Sequence, residues 1–227
     1  MNRFYLLILV IISFSCAEKS VQLPETNNKD ILEVIDVSPV YMFLNEEKDS
    51  LEFNRRNMIG TTNWLVNIDK RLTLKKVLPH LKFLQEKRKG DGMHKNDAAK
   101  NYFSCSNPEL KNLAFINFTD VIYHDEPIIE FMQDFFAKST TEINPMFINF
   151  LNKDSLVIGS QFALKGIPKN KFLKTVDSIS KSNEVNDKLF LTFKEDLTFQ
   201  DYINYKSLIL ELNSENVTVA NDEFIYK

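Results

Sequence analysis

Hydrophobic and polar residues alternate along several short stretches of the chain, and this period of two predicts β-strands with one buried face. The two clearest stretches carry their apolar residues at Trp64, Val66 and Ile68 and at Leu189, Leu191 and Phe193. After each stretch come charged residues, a threonine, and then apolar residues at the spacing of a helix. Thr73 and Thr198 stand just before these helices, where a hydroxyl side chain can cap the first turn.

The same succession of elements occurs twice in the chain. The tetrapeptide KDSL marks both copies, at Lys48–Leu51 and at Lys153–Leu156, and both copies close with Ile-Tyr. When Trp64 is set on Leu189, the following residues align without a gap and place Thr73 on Thr198. We therefore predict an α+β fold of two duplicated small sheet-plus-helix modules, of β-β-α-β-α-β type, in which the first copy lacks one helix. The alternative is that two unrelated modules share the ordinary patterning of strands and helices.

Composition divides the chain into five segments. They are a signal peptide over residues 1–15, a polar tether over 16–30, a first module over 31–124, a linker helix over 125–143 and a second module over 144–227. The apolar residues of the linker share one helical face, at Ile128, Phe131, Met132, Phe135 and Phe136. We expect this amphipathic helix to cover the sheet face that the missing helix of the first module leaves bare. A polar insertion over Gln85–Asn112 distinguishes the first module from the second.

The N-terminus has the layout of a secretory signal peptide. An unbroken apolar run over residues 4–12 follows Arg3, and it is shorter than the roughly 20 residues that span a membrane. Small residues then lead to Cys16, and the segment resembles a bacterial lipoprotein signal. The resemblance implies that Cys16 becomes the first mature residue, carries lipid, and anchors the protein in the bacterial envelope, facing the periplasm. The inner and the outer membrane both stay open, as does an ordinary cleaved signal peptide with a chance cysteine.

The second copy resembles the periplasmic domain of the ExbD/TolR family in its order of strand, polar turn, strand, helix, strand, helix and strand. Leu197 and Phe199 match the apolar and aromatic positions of a family motif, and Asp69 of the first copy matches its acidic position. The resemblance implies interaction modules that associate in pairs. Such a pair could form within this chain, giving a monomer, or between chains, giving a homodimer. The family's proton-carrying transmembrane Asp has no equivalent, because residues 4–15 contain no acidic residue.

Composition and motifs offer little support for catalysis. The formal net charge is −3, without a basic face of the kind that binds nucleic acid. The sequence contains no phosphate-binding loop and no nucleophile or metalloprotease motif, and five Gly residues are too few for backbone phosphate cradles. Asp91, His94 and Asp97 are spaced by three, but such a loop is usually solvated. We therefore predict a non-enzymatic protein with no catalytic residue, no metal and no cofactor.

These observations favour a lipid-anchored interaction protein of the cell envelope, accessory to a transport or energy-transduction assembly or to the cell wall. The alternative is a lipoprotein that binds a solute or glycan, which needs an aromatic-lined cleft. We expect partners to bind the polar insertion together with an exposed strand edge. The candidate residues of the insertion are basic: Lys87, Arg88, Lys89, His94 and Lys95.

Overall fold

The computed structural model describes residues 19–90, 96–138, 144–159, 164–181, 186–214 and 216–227. Across these residues the protein is of the α+β class, with two mixed sheets of five and six strands and four helices. None of the described helices is long and apolar enough to cross a membrane. The predicted fold class is therefore confirmed: the chain contains two modules, each built on a sheet.

The first module contains five strands and one helix. They are β1 (Val37–Asn45), β2 (Ser50–Asn54), β3 (Asn63–Ile68), α1 (Leu74–Lys89), β4 (Asn101–Asn107) and β5 (Asn112–Asn117). The strand order in the sheet is β2-β1-β3-β4-β5, in which β3 runs parallel to both of its neighbours. The helix buries one apolar stripe against this sheet, formed by Leu74, Val77, Leu78, Leu81 and Leu84.

The second module has six strands and two helices, and a further helix lies between its first two strands. The elements are β6 (Ile122–His124), α2 (Ile128–Lys138), β7 (Asn144–Phe150), β8 (Ser155–Gly159), β9 (Leu164–Pro168), α3 (Phe172–Ser180), β10 (Asp187–Lys194), α4 (Phe199–Leu210) and β11 (Val217–Tyr226). Their order in the sheet is β6-β11-β10-β7-β8-β9. The helix α3 is the one that the first module lacks.

Both modules share one topology, as the duplication predicts. The order β2-β1-β3-β4 of the first sheet matches β8-β7-β10-β11 of the second, with the same antiparallel hairpin and the same parallel pairs. The two KDSL segments are equivalent in the structure: each runs from a hairpin turn into the first residues of β2 or β8. The alternating stretches around Trp64 and Leu189 form the equivalent central strands β3 and β10.

The predicted insertion Gln85–Asn112 is wrong in its extent. Its first residues complete α1, and β4 lies inside it as the true counterpart of β11. This strand escaped detection because its buried face mixes Phe103 and Cys105 with polar Asn and Ser residues. The Ile-Tyr pairs that close the two copies are not equivalent, because β6 lies beside β11 in the same sheet. The strand β9 was also not foreseen.

The linker helix α2 does not cover the first sheet. It packs on the outer face of the second sheet, where Met132 contacts Phe190 and Ala220. The central strand β10 is buried on both faces, with Leu189 and Leu191 pointing to the core and Phe190 to α2. A strand that is apolar on both faces is buried only when other elements pack on both faces of its sheet. The helix α2 packs on the second face.

One continuous core joins the two modules. Phe103 of the first sheet packs edge-on against Phe199 and Tyr202 of α4, with ring centroids 5.2 and 6.0 Å apart. Tyr202 in turn contacts Phe193 of the second sheet. The helix α4 thus lies against both sheets, and the modules bury one shared apolar cluster.

Candidate functional site

The starts of α1 and α4 pair with each other where the two modules meet. Thr73 lies opposite Thr198, and backbone hydrogen bonds on both sides of this pair are reciprocal. The four bonds, donor first, join Leu74 to Leu197 (2.9 Å), Lys75 to Glu195 (2.9 Å), Phe199 to Leu72 (2.7 Å) and Gln200 to Lys70 (3.0 Å). Each bond has its counterpart between the equivalent residues of the other module. A local two-fold axis therefore passes between Thr73 and Thr198, the residues that the alignment of the two copies matches.

This pairing satisfies donors that a helix normally leaves open. The first N–H groups of an α-helix have no partner within the helix. Here the first two N–H groups of each helix donate to carbonyl groups of the other module. The third donor of α4 is capped locally, since Asp201 N–H donates to Thr198 Oγ1 at 3.1 Å and Thr198 N–H donates to the Asp201 carboxylate at 3.2 Å. Both predicted N-caps are confirmed in position, although Thr73 makes no capping hydrogen bond with its side chain.

The polar residues 16–30 were predicted to be a tether, and this is wrong for those from Gln22 onward. We call residues 22–31 the N-terminal strap. The strap runs between the end of β3 and the end of β4: Lys70 N–H donates to Gln22 O at 2.7 Å. Ser106 N–H donates to Pro24 O at 2.8 Å, and Thr26 N–H donates to Ser106 O at 3.0 Å. Sequence periodicity could not show this, because the partners are backbone groups.

The strap also binds the second module. The side-chain amide of Gln200 in α4 contacts both main-chain groups of Glu25, accepting from its N–H at 2.8 Å and donating to its O at 2.9 Å. The hydroxyl groups of Thr26 and Ser207 are 2.8 Å apart. Lys70 holds the Glu25 carboxylate at 2.7 Å. The strap therefore joins both modules at their junction.

Asp69, the acidic residue that directly follows β3, is fully buried beside the strap. Its carboxylate accepts two hydrogen bonds from the Arg71 guanidinium, each 2.9 Å long, and one from Gln22 N–H at 3.3 Å. Burial alone would raise the pKa of Asp69, but the Arg71 hydrogen bonds outweigh it and hold the pKa below its ordinary value. Asp69 is an ionised structural anchor for the first residue of the strap.

A buried polar chain crosses the core of the second module. The Tyr202 hydroxyl donates to Glu223 at 2.7 Å, so Tyr123, whose hydroxyl is 3.0 Å from that of Tyr202, is the donor between the two tyrosines. Lys206 forms an ion pair with the other oxygen of Glu223. Burial, and then the charge of Glu223, raise the pKa of both tyrosines well above its ordinary value. Both phenols stay neutral at physiological pH and act as hydrogen-bond donors within this chain.

A separate cleft of about 590 Å³ lies beside α2. Phe131 and Phe135 form its apolar part, and the polar lining consists of His124, Glu126, Glu130, Asp134 and Lys138. His124 stacks on Phe224 at 4.7 Å, and its Nε2 lies 2.7 Å from Asp222. The imidazole is thus held between a ring and a carboxylate. Within the described residues, no group of three or more His, Cys, Asp or Glu could hold a metal ion.

Three of the predicted partner residues, Lys87, Arg88 and Lys89, lie in the part of the chain that the structure describes. Lys87 and Lys89 are exposed, but Arg88 turns inward over the Trp64 ring at 3.6 Å. Its guanidinium donates to Gly60 O, Thr62 O and the Asn101 side chain at 2.9–3.1 Å. Burial lowers the pKa of Arg88 to about 10, so the group remains cationic at neutral pH. Arg88 therefore holds the Gly60 and Thr62 carbonyl groups and Asn101 together. Its position in a run of basic residues gave no indication of this structural role.

Cys16, His94 and Lys95 are outside the described residues. His80 packs on the Phe53 ring at 4.6 Å, and burial lowers its pKa. Burial also raises the pKa of the Cys105 thiol to about 12, which keeps this thiol protonated and unreactive.

Comparisons with models of protein families, with curated proteins and with solved structures found no match to this chain. By its geometry the molecule is a two-module α+β protein whose modules pair through equivalent helix starts. The polar groups at that junction bind each other and the strap.

Proposed function

We propose that the protein is a non-catalytic, lipid-anchored interaction protein of the bacterial cell envelope, facing the periplasm. The observation that carries this proposal is the pairing of two equivalent modules within one chain. The ExbD/TolR-like domains that the second module resembles associate in pairs, and here one chain supplies both members. Two of the edge strands of the described sheets, β2 and β9, are then left to bind other envelope proteins by strand addition. An accessory role in a transport or energy-transduction assembly fits this arrangement.

The strap supports the anchoring part of the proposal. Gln22 is bound to Asp69 and Lys70, and it lies only six positions after Cys16 in the sequence. Six extended residues span at most about 20 Å. A lipid on Cys16 would hold the junction of the modules close to the membrane surface.

Labelling with palmitate tests the anchor. Cys16→Ser should abolish the label and leave an unprocessed precursor, because the acylated residue is missing. Cys105→Ser is the matched control, since Cys105 is the buried thiol, and it should keep both label and processing. A labelled, normally processed Cys16→Ser protein would refute the lipid anchor.

The cleft beside α2 favours a second candidate function, the binding of a solute or glycan. Its volume and its two phenylalanines suit a small ligand with an apolar face. Trp64 does not contribute to such a site, because it is 1% exposed and its Nε1 donates to Ile59 O. Saturable binding of a cell-wall fragment that is lost in Phe131→Ala would favour this function over the first.

A further inference from the structure

The strap occupies a groove that is built to hold an extended chain. β4 pairs with β3 only as far as Phe103, so the edge of β4 beyond that residue is open toward the junction. The strap enters this opening parallel to β4, with Glu25 opposite Ser106. Both main-chain groups of Ser106 that face the opening are bound by the strap. This is the hydrogen-bond pattern of an added strand.

The opposite wall of the groove forms hydrogen bonds with the backbone of the strap. The Gln200 amide binds the N–H and the C=O of Glu25 at once and is oriented by Asn204, whose Oδ1 it contacts at 3.0 Å. These contacts depend on an extended backbone and not on the side chain at that position. Side-chain selectivity comes from the neighbours: Pro24 and Thr26 are buried, and Lys70 faces the acidic Glu25.

The strap is not a strand of either sheet. Its β-bridge to β4 joins Glu25 and Ser106, and two further hydrogen bonds hold it, from Asn107 Nδ2 of β4 to Asn28 O (3.2 Å) and from Phe115 N–H of β5 to Ile31 O (2.9 Å). Every ladder of the two sheets forms without it. A cleft of about 410 Å³ runs beside it, lined on the protein side by Lys70, Pro108, Gln200 and Asn204. An exchange of the strap for another chain therefore requires no sheet to open.

We propose that this groove is a peptide-binding site that the strap fills in cis, and that its partner is an extended segment of another envelope protein. The segment should carry proline or another small residue at the position of Pro24, an acidic residue at that of Glu25, and Thr or Ser at that of Thr26. The envelope origin of the partner rests on the proposed function. The groove and its peptide chemistry do not depend on the lipid anchor.

The test uses the full chain in detergent and a fluorescent peptide that copies residues 20–30. The strap variant Glu25→Pro/Thr26→Pro lacks the two N–H groups that bind Gln200 and Ser106, which leaves the groove intact but weakens its occupant. This variant should bind the peptide at least tenfold more tightly than the wild type. Adding Gln200→Ala should abolish the gain, and a peptide methylated at the two equivalent amide nitrogens should bind at least tenfold more weakly.

Hydrogen exchange at the Ser106 amide reports whether the strap has left the groove. In the strap variant this amide should exchange faster, and added peptide should protect it again. Continued protection without peptide would show a fixed structural segment and overturn the proposal. Release without peptide binding would overturn it equally. Neither result alters the palmitate test, so failure of the groove and failure of the anchor are distinguishable.

Discussion

At the scale of single residues, the ion pair between Lys206 and Glu223 is the most demanding feature of the core. Glu223 is 1% exposed and Lys206 8% exposed, and Tyr202 completes the hydrogen bonds of the carboxylate. A buried charge is tolerated only while its partner is present. The pair therefore makes the core of the second module sensitive to changes that remove one charge and leave the other.

Glu223→Gln should lower the free energy of unfolding by about 3–5 kcal/mol, because it leaves the Lys206 cation buried without a carboxylate. The double variant Glu223→Gln/Lys206→Met should lose less than the sum of the two single variants. Urea denaturation measures both effects. Asp134→Asn is the control, because the exposed pair of Asp134 with Lys138 should contribute at most about 1 kcal/mol. A Glu223→Gln protein as stable as this control would contradict the buried pair.

Residue types that act through local geometry were predictable from the sequence. The N-cap positions of Thr73 and Thr198 were predicted correctly because capping depends on neighbours a few positions away. Arg88, Gln85 and the strap were not found, because their partners are distant backbone groups. Gln85, assigned to a polar insertion, is buried in α1 and donates to Val121 O beside β6. A polar side chain that binds distant backbone leaves no periodic signal.

At the scale of elements, the duplicated helices α1 and α4 begin in the same way but are capped differently. Thr198 and Asp201 form a reciprocal capping box in α4, whereas the side chain of Thr73 makes no capping hydrogen bond. Their positions at the junction are otherwise equivalent. The difference offers a matched pair of substitutions in one molecule.

Thr198→Ala should lower the free energy of unfolding by about 1 kcal/mol, the usual contribution of a capping side chain. Thr73→Ala should have a smaller effect, since it removes no such hydrogen bond. Thermal or urea denaturation of the two variants side by side measures the difference. Equal losses in both variants would mean that the two helix starts are capped alike.

The elements themselves were predictable where their period was clean, as in β3, β10 and the two duplicated helices. The prediction of elements failed where a strand carries polar residues on its buried face, as in β4. The side of the sheet that α2 covers also could not be read from its own amphipathic pattern. That choice depends on Phe190, which makes the outer face of β10 apolar.

At the scale of the whole molecule, the architecture is a pair of modules with the same strand order. Two modules of one topology meet at equivalent helix starts, and the strap ties them together on one side. The shared core, which includes Phe103 of one sheet and Phe193 of the other, makes them one packed body. The proposed activities follow from this closed pair: an anchor at the strap, open outer strands, and a groove for an extended peptide.

Native-state hydrogen exchange at the first amides of α1 and α4 tests the pairing of the modules most directly. The amides concerned are those of Leu74, Lys75, Phe199 and Gln200. In an unpaired module these groups would face water, because the first turn of a helix offers them no acceptor. The account predicts that they exchange as slowly as the central strands β3 and β10. Exchange as fast as that of the exposed Lys48 turn would contradict the paired arrangement.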